Sequence, residues 1–251
     1  MTDETLYLKC KHGDIAPLVL LSGDPARVER AAELVHDVRH IRSNREYSVA
    51  TGAHRGVPIS MVSGGIGAPS TAIAIQELAQ LGARVVVRVG TNMGVQAALR
   101  SVVLSTGAAR FEGTSASYLP LAYPAIPDYA LVQTLAEAGR RYDLDVRLGL
   151  TATYDAFYPD MAPSLAGQGA LDLKLPRRAG VLSMDMETSL VFTMGTALGL
   201  AAAAMCLVTV QAEPHSHLDP EVRADLELCM VQAALDGLAA FGTQMQAHSP
   251  I

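Results

Sequence analysis

Short unbroken apolar runs alternate along the chain with longer stretches in which apolar residues recur every three or four positions. These are the signatures of buried strands and of helices that pack on them. "LVLLS" (18–22) predicts a strand, and a helical pattern over 26–35 follows at once. "EYSVAT" (46–51) and "VPISMVS" (57–63) flank "GAHRG" and predict a hairpin. "APSTAIAIQELAQLG" (68–82) predicts a helix with Pro69 near its start and Gly82 at its end. "RVVVRVG" (84–90) and "SVVLST" (101–106) predict strands. A helix over 129–142 and a strand over 146–153 follow. After these come a helix over 186–200, a strand over 203–210 and a closing helix over 219–241. Asp219 suits the cap of that last helix and Pro220 its first position.

Strands written as continuous apolar runs are usually covered on both faces. Their alternation with helices implies a mostly parallel sheet, and the hairpin makes it mixed. With 251 residues, half of them apolar, the chain predicts one α/β domain over 1–251, a central sheet flanked by helices. Residues 108–128 and 154–180 remain as long connections, which are often functional. No apolar stretch of ~18 residues runs without a polar interruption, so no transmembrane helix is expected. A net charge of −6, with no basic stripe carrying interleaved aromatics, argues against a nucleic-acid partner. Three cysteines without C-x-x-C spacing and an acidic start, "MTDETLYLK", point to a reducing compartment and the cytoplasm. A surface this poor in charge also points to burial in an oligomer.

Ligands of such sheets sit beyond the carboxyl ends of the strands, so the residues there carry the chemistry. After the first strand, Gly23 permits a tight turn, Asp24 caps the helix, and Arg27 projects from its first turn. A cation at a helix start is unfavourable. Arg27 is either a surface residue paired with Glu29 or Asp24, or one wall of an anion site. Arg88 lies inside an apolar strand, where an unpaired guanidinium is costly. It needs a bound anion or a carboxylate from elsewhere. Thr91 offers a hydroxyl and an amide at the same strand end. "SGGIGAPS" (63–70) is a glycine-rich turn. In "SMDMETSL" (183–190), Asp185 and Glu187 are either helix-start acids or, for Glu187, an acceptor of sugar hydroxyls. His215 and His217 have no third ligand at a recognisable spacing and predict a polar loop, not a metal site.

Taken in order, "LSGDPARVERAAELV", "SNREYS", "GGIGAPSTAIAIQELAQLGARVVVRVGT", "DAFYPD" and "MDMETSLV" resemble the nucleoside phosphorylases of the uridine phosphorylase and hexameric purine nucleoside phosphorylase type. The resemblance runs from about Tyr7 to the last helix. It implies a mixed, partly barrel-like sheet and phosphate-dependent cleavage of a nucleoside to free base and (deoxy)ribose 1-phosphate. Inorganic phosphate is then the co-substrate, and no metal or organic cofactor is implied. It also implies dimers with shared sites, assembled into hexamers. By position, Gly23, Arg27, Arg88 and Thr91 match the phosphate site, and Arg45 matches the arginine lent by the neighbouring subunit. Met186 and Glu187 match the ribose pair, and Tyr7 stands where the family usually lends a histidine. Phe157, Asn92, Met93 and Gln211 match positions near the base. The implied catalytic set is Arg88, Glu187 and Gln211.

Departures gather at the base end. The glutamine and arginine that read uracil are replaced by Met161 and Pro163. Gln211 stands near the aspartate with which purine enzymes protonate the base, and an amide cannot supply that proton. Glu213 is a nearby substitute. Met93 replaces a glycine, and "LRSVVLS" lacks the usual Gly-Asp before its strand. Three readings stay open: a phosphorylase with altered or relaxed base preference, a nucleosidase using water, and a catalytically weak nucleoside-binding paralogue. The set Arg27, Arg45 and Arg88 counts against the nucleosidase, while the lost acid and Met93 favour the paralogue. The expectation is a phosphorylase with purine favoured over uridine.

Overall fold

The computed structural model describes residues 4–157 and 173–248. Among these, β1 is Leu18–Ser22, α1 Pro25–Ala32, β2 His36–Asn44, β3 Tyr47–His54, β4 Val57–Ser63 and α2 Ala68–Gln80. β5 (Val85–Gly94), β6 (Val102–Phe111), α3 (Tyr129–Arg141), β7 (Val146–Tyr154) and α4 (Lys174–Arg178) follow. The described chain closes with β8 (Val181–Asp185), α5 (Thr188–Leu198), β9 (Ala201–Gln211), β10 (Ser216–His217) and α6 (Pro220–His248).

The strands form one sheet in the order β10-β9-β6-β7-β8-β5-β1-β4-β3-β2. An additional β9–β5 pairing closes β5, β9, β6, β7 and β8 into a barrel. The sheet is mixed. β1 runs parallel to β4 and β5, and β5 parallel to β9, while β8 is antiparallel to β5 and the β2–β3–β4 meander is antiparallel throughout.

Alternation along β1 explains the layering. Leu18 and Leu20 pack with α1, α3 and α6 on one face, while Val19 and Leu21 pack with α2 and α5 on the other. Both faces of β1 are therefore buried, as its unbroken apolar run requires. α6 is long and apolar enough to cross a membrane by length and composition. In this fold 67% of its most apolar window is buried against the domain, so it is a core helix.

Four boundaries differ from the pattern in the sequence. α1 stops at Ala32, and Leu34 and Val35 donate back to Ala31 and Ala32 in a closing turn. The segment after it, "HDVRHIRSN", forms edge strand β2 despite lacking an apolar face. α5 begins at Thr188, because residues 181–185 form β8 in the barrel. The polar loop with His215 and His217 folds back as β10, antiparallel to β9.

Candidate active site

A cavity of about 450 Å³ opens where β1, β5 and β8 end. Gly23, Asp24, Pro25 and Arg27 form one wall, and Arg88, Gly90 and Thr91 the next. Asp185, Met186 and Glu187 face them, and Phe157, Ile66 and Arg223 complete the lining. A cavity of similar size on α3, β6 and β7 is largely apolar, with Glu137 and Arg140 the only charges among the described residues that line it. The chemistry-bearing residues do not line it.

Local structure delivers each group. Asp24 caps α1 by accepting the Ala26 N–H at 2.9 Å, with Pro25 at the first helical position. Arg27 is then 4% exposed, which its place on the first turn did not announce. It pairs with neither Glu29 nor Asp24. Its Nε and Nη2 reach Glu227 Oε2 at 3.3 and 2.9 Å, and Nη1 donates to Ser22 Oγ at 2.8 Å. Arg30 is the residue that reaches Asp24, at 3.4 Å.

Arg88 lies on the inner side of β5, 6% exposed. Its Nη2 donates to Glu187, and its Nη1 lies 3.2 Å from Asp185 Oδ2. Burial alone lowers the pKa of a guanidinium. The facing Cys206, Glu187 and Asp185 outweigh it and hold Arg88 well above its ordinary value, so it stays charged. A Cβ on Gly90 would lie 2.8 Å from Arg88 Nη1, so the guanidinium folds over the bare glycine.

The two acids after β8 divide their work. Asp185 accepts the Thr188 N–H and hydroxyl and the Thr153 hydroxyl, so it serves the start of α5 and the barrel. Glu187 makes no capping bond. It accepts the Gly67 N–H at 2.6 Å from a turn with φ +88°, and it faces the cavity beside Arg88. Met186 lies between them on the lining, its methyl against Gly67.

The far end of the cavity is apolar. Phe157 packs with Tyr154, which stacks on Phe111. Met93, Ala152 and Met184 form the cluster behind them. Asn92 is buried nearby and donates to Ser183 Oγ at 2.8 Å. Gln211 does not line the cavity, and its Nε2 lies 3.3 Å from the Gly94 carbonyl. Glu213 is paired with Arg177 at 2.7 Å. Met161 and Pro163 lie outside the described residues.

Tyr7 and Arg45 come together, but away from the cavity of their own chain. The Arg45 guanidinium sits 5.9 Å from the Tyr7 ring centre. Glu77 accepts the Tyr7 and Leu8 N–H groups, and Asn44 donates to the Tyr7 carbonyl. The pair thus forms one braced unit, with Arg45 exposed at the β2–β3 turn.

Sequence reasoning did not single out Arg223 and Glu227. A signal for Glu227 exists. It sits at helical spacing with Val231, Ala234 and Leu238, all buried, so α6 turns a carboxylate inward. The arrangement offers an oxyanion cradle at the arginines, a carboxylate acceptor for hydroxyls at Glu187, and a flat apolar seat at Phe157.

Residues 17–239 match the family model described as the phosphorylase superfamily. The uridine phosphorylase of Thermococcus kodakarensis is 39% identical over 212 residues, covering 80% of this chain and 76% of the relative. The guanosine phosphorylase of Halorubrum lacusprofundi is 34% identical over 204 residues, covering 80% and 81%. The crystal structure of uridine phosphorylase from Vibrio fischeri superposes with a TM-score of 0.86 at 31% identity, covering 95% of this chain and 98% of that one.

Proposed function

Because the chain belongs to the phosphorylase superfamily, we propose that it cleaves a nucleoside with inorganic phosphate, giving free base and (deoxy)ribose 1-phosphate. One observation carries this reading. Two buried arginines, Arg27 and Arg88, converge with Gly23 and Thr91 on one end of the cavity, next to Met186 and Glu187.

The chemistry follows from those groups. Breaking the glycosidic bond develops positive charge on the sugar. A phosphate oxygen attacks C1′ as the C1′–N bond breaks, and that bonding pair leaves with the base. Phosphate held by Arg27 and Arg88 is aligned for attack, and its charge stabilises the cationic sugar. Glu187 and Arg88 are each other's partners in this structure. A carboxylate has further lone pairs, and the proposal gives these to the sugar hydroxyls. Gln211 does not line the cavity, and an amide could not protonate the departing base, so the proton reaches the base from water. No cofactor enters this scheme.

In the same reading the enzyme is cytoplasmic and assembles as dimers within a hexamer, each subunit lending Tyr7 and Arg45 to its neighbour. The braced unit they form, with Arg45 exposed and Tyr7 half-buried, supports that use. The base is assigned as purine, because the uracil-reading glutamine and arginine are replaced by Met161 and Pro163. The relatives named uridine phosphorylase make uridine the competing substrate.

A panel of guanosine, inosine, adenosine, uridine and thymidine, assayed with and without phosphate, tests the reading. Base release is expected only with phosphate, and faster from guanosine or inosine than from uridine. Equal rates without phosphate would make the protein a nucleosidase. No turnover would leave a binding protein. Light scattering is expected to show a dimer-based assembly, and a stable monomer would remove the role given to Arg45.

A further inference from the structure

The cavity's positive wall depends on a residue that does not line it. Glu227 projects from α6, 200 residues beyond Arg27, and is 5% exposed. Its Oε2 takes Arg27 Nε and Nη2, and also Arg30 Nη2 at 3.4 Å. Its Oε1 takes Arg223 Nε at 2.7 Å. Burial pushes the carboxyl up, but the facing Arg27 and Arg223 guanidiniums more than cancel this and hold it below the usual carboxylate range. One carboxylate therefore faces three guanidiniums, of which Arg30 also reaches Asp24 and Arg27 and Arg223 line the cavity. Arg27 has one edge clamped by Glu227 and Nη1 on Ser22. Its remaining Nη hydrogens are directed by that clamp.

We propose that Glu227 is a positioning residue for phosphate: it clamps the buried Arg27 so that its remaining N–H groups are preset for an oxyanion. This rests on the phosphorylase reading, in which Arg27 touches phosphate. Removing the negative charge raises the local positive potential, which by itself would tighten anion binding. The inference is that lost orientation outweighs that gain, because a buried guanidinium without its carboxylate turns away toward water. Glu227 acts through Arg27, so the two residues form one unit in binding phosphate.

Calorimetric titration of the whole protein with inorganic phosphate tests this without relying on turnover. Glu227→Gln keeps the shape and one acceptor, and its phosphate Kd is expected to rise about tenfold. Glu227→Asp keeps the charge but withdraws it by one methylene, and should weaken binding in the same direction, about threefold. It also provides the test should the Gln variant not fold. The Glu227→Gln/Arg27→Ala double variant should bind phosphate no more weakly than Arg27→Ala alone. In steady state, the phosphate KM should rise in Glu227→Gln while the nucleoside KM stays put. Unchanged or tighter phosphate binding in the single variants, or additive losses in the double variant, would overturn the positioning role and leave the phosphorylase reading standing. A wild-type protein that binds no phosphate would overturn both.

Discussion

Two acids of the same helix make a natural comparison. Glu227 and Asp236 lie nine positions apart on α6, about 13 Å along the axis and on opposite sides of it. Both are nearly inaccessible, at 5% and 6% exposure. Each is bound by three side chains, those of Asp236 all from other elements and those of Glu227 from α1 and from the preceding turn of α6. Glu227 holds Arg27, Arg30 and Arg223. Asp236 holds His54 at 2.7 Å, Arg55 at 2.6 Å and the Tyr142 hydroxyl at 3.2 Å. The difference lies in what the partners face. Arg27 and Arg223 line the cavity at the carboxyl ends of the strands, whereas His54, Arg55 and Tyr142 tie the β3–β4 turn and the end of α3 to α6. A buried ionic cluster is therefore no sign of function by itself. Position relative to the strand ends is what separates a cluster that presets a ligand site from one that fastens the fold.

That contrast is open to direct attack. The largest effect is expected at the cavity. Arg88→Ala should lower kcat for phosphorolysis by about 10²–10³. It should also reduce unfolding free energy by about 3 kcal/mol, because Asp185 and Glu187 lose their buried partner. Kinetics and urea denaturation measured together separate the two losses. A variant that loses stability but keeps its phosphate kinetics would make Arg88 purely structural.

Farther along α6, Asp236→Asn should cost about 1–3 kcal/mol in urea unfolding. Its kcat/KM should stay within about twofold of wild type, since the change is remote from the site. A large rise in phosphate KM in this variant would erase the distinction between the clusters.

A subtler effect lies in the acid limb. Glu227 has a folded-state pKa below its ordinary value. Its contribution to stability is therefore present above the unfolded pKa and is lost as pH falls through the folded one. The stability gap between wild type and Glu227→Gln should be full at pH 7 and shrink as pH drops below about 4.5. A gap that does not change with pH would mean that the carboxylate is not charged in the folded protein.

The smallest effect is in the thiols. Burial pushes Cys10 up to about 12 and Cys206 up to about 11, and both side chains are covered. Cys229, on α6 near Glu227, is half-buried. At pH 8 an aromatic disulfide reagent should titrate Cys229 in the folded protein, and all three thiols only after unfolding. Rapid reaction of Cys206 would show that the floor beneath Arg88 is open.

Much of the sheet was legible because β1 and β5 are buried on both faces and are apolar along most of their length. β2 was not, since an edge strand with polar residues on both sides gives no alternation to read. β8 was hidden because Ser183 and Asp185 bond the polar side chains of Asn92 and Thr153 and do not join an apolar core. At the site, Arg88 stood out because a cation inside a valine run demands a partner. Arg27 was ambiguous because its partner is 200 residues away. Glu227 was readable only as an acid on the inward face of a helix, and that pattern does not say which cation it meets. The base end resisted reading for a different reason. Its residues there are substitutions away from the family's pattern, and a missing group leaves no positive signal of what replaces it.

Whether phosphate or water takes the sugar is read by incubating the protein with guanosine or uridine and inorganic phosphate, then quantifying pentose 1-phosphate against free base. One pentose 1-phosphate is expected for each base released, and none of either when phosphate is withheld. Base released with free pentose, or no base from either nucleoside, would contradict that expectation.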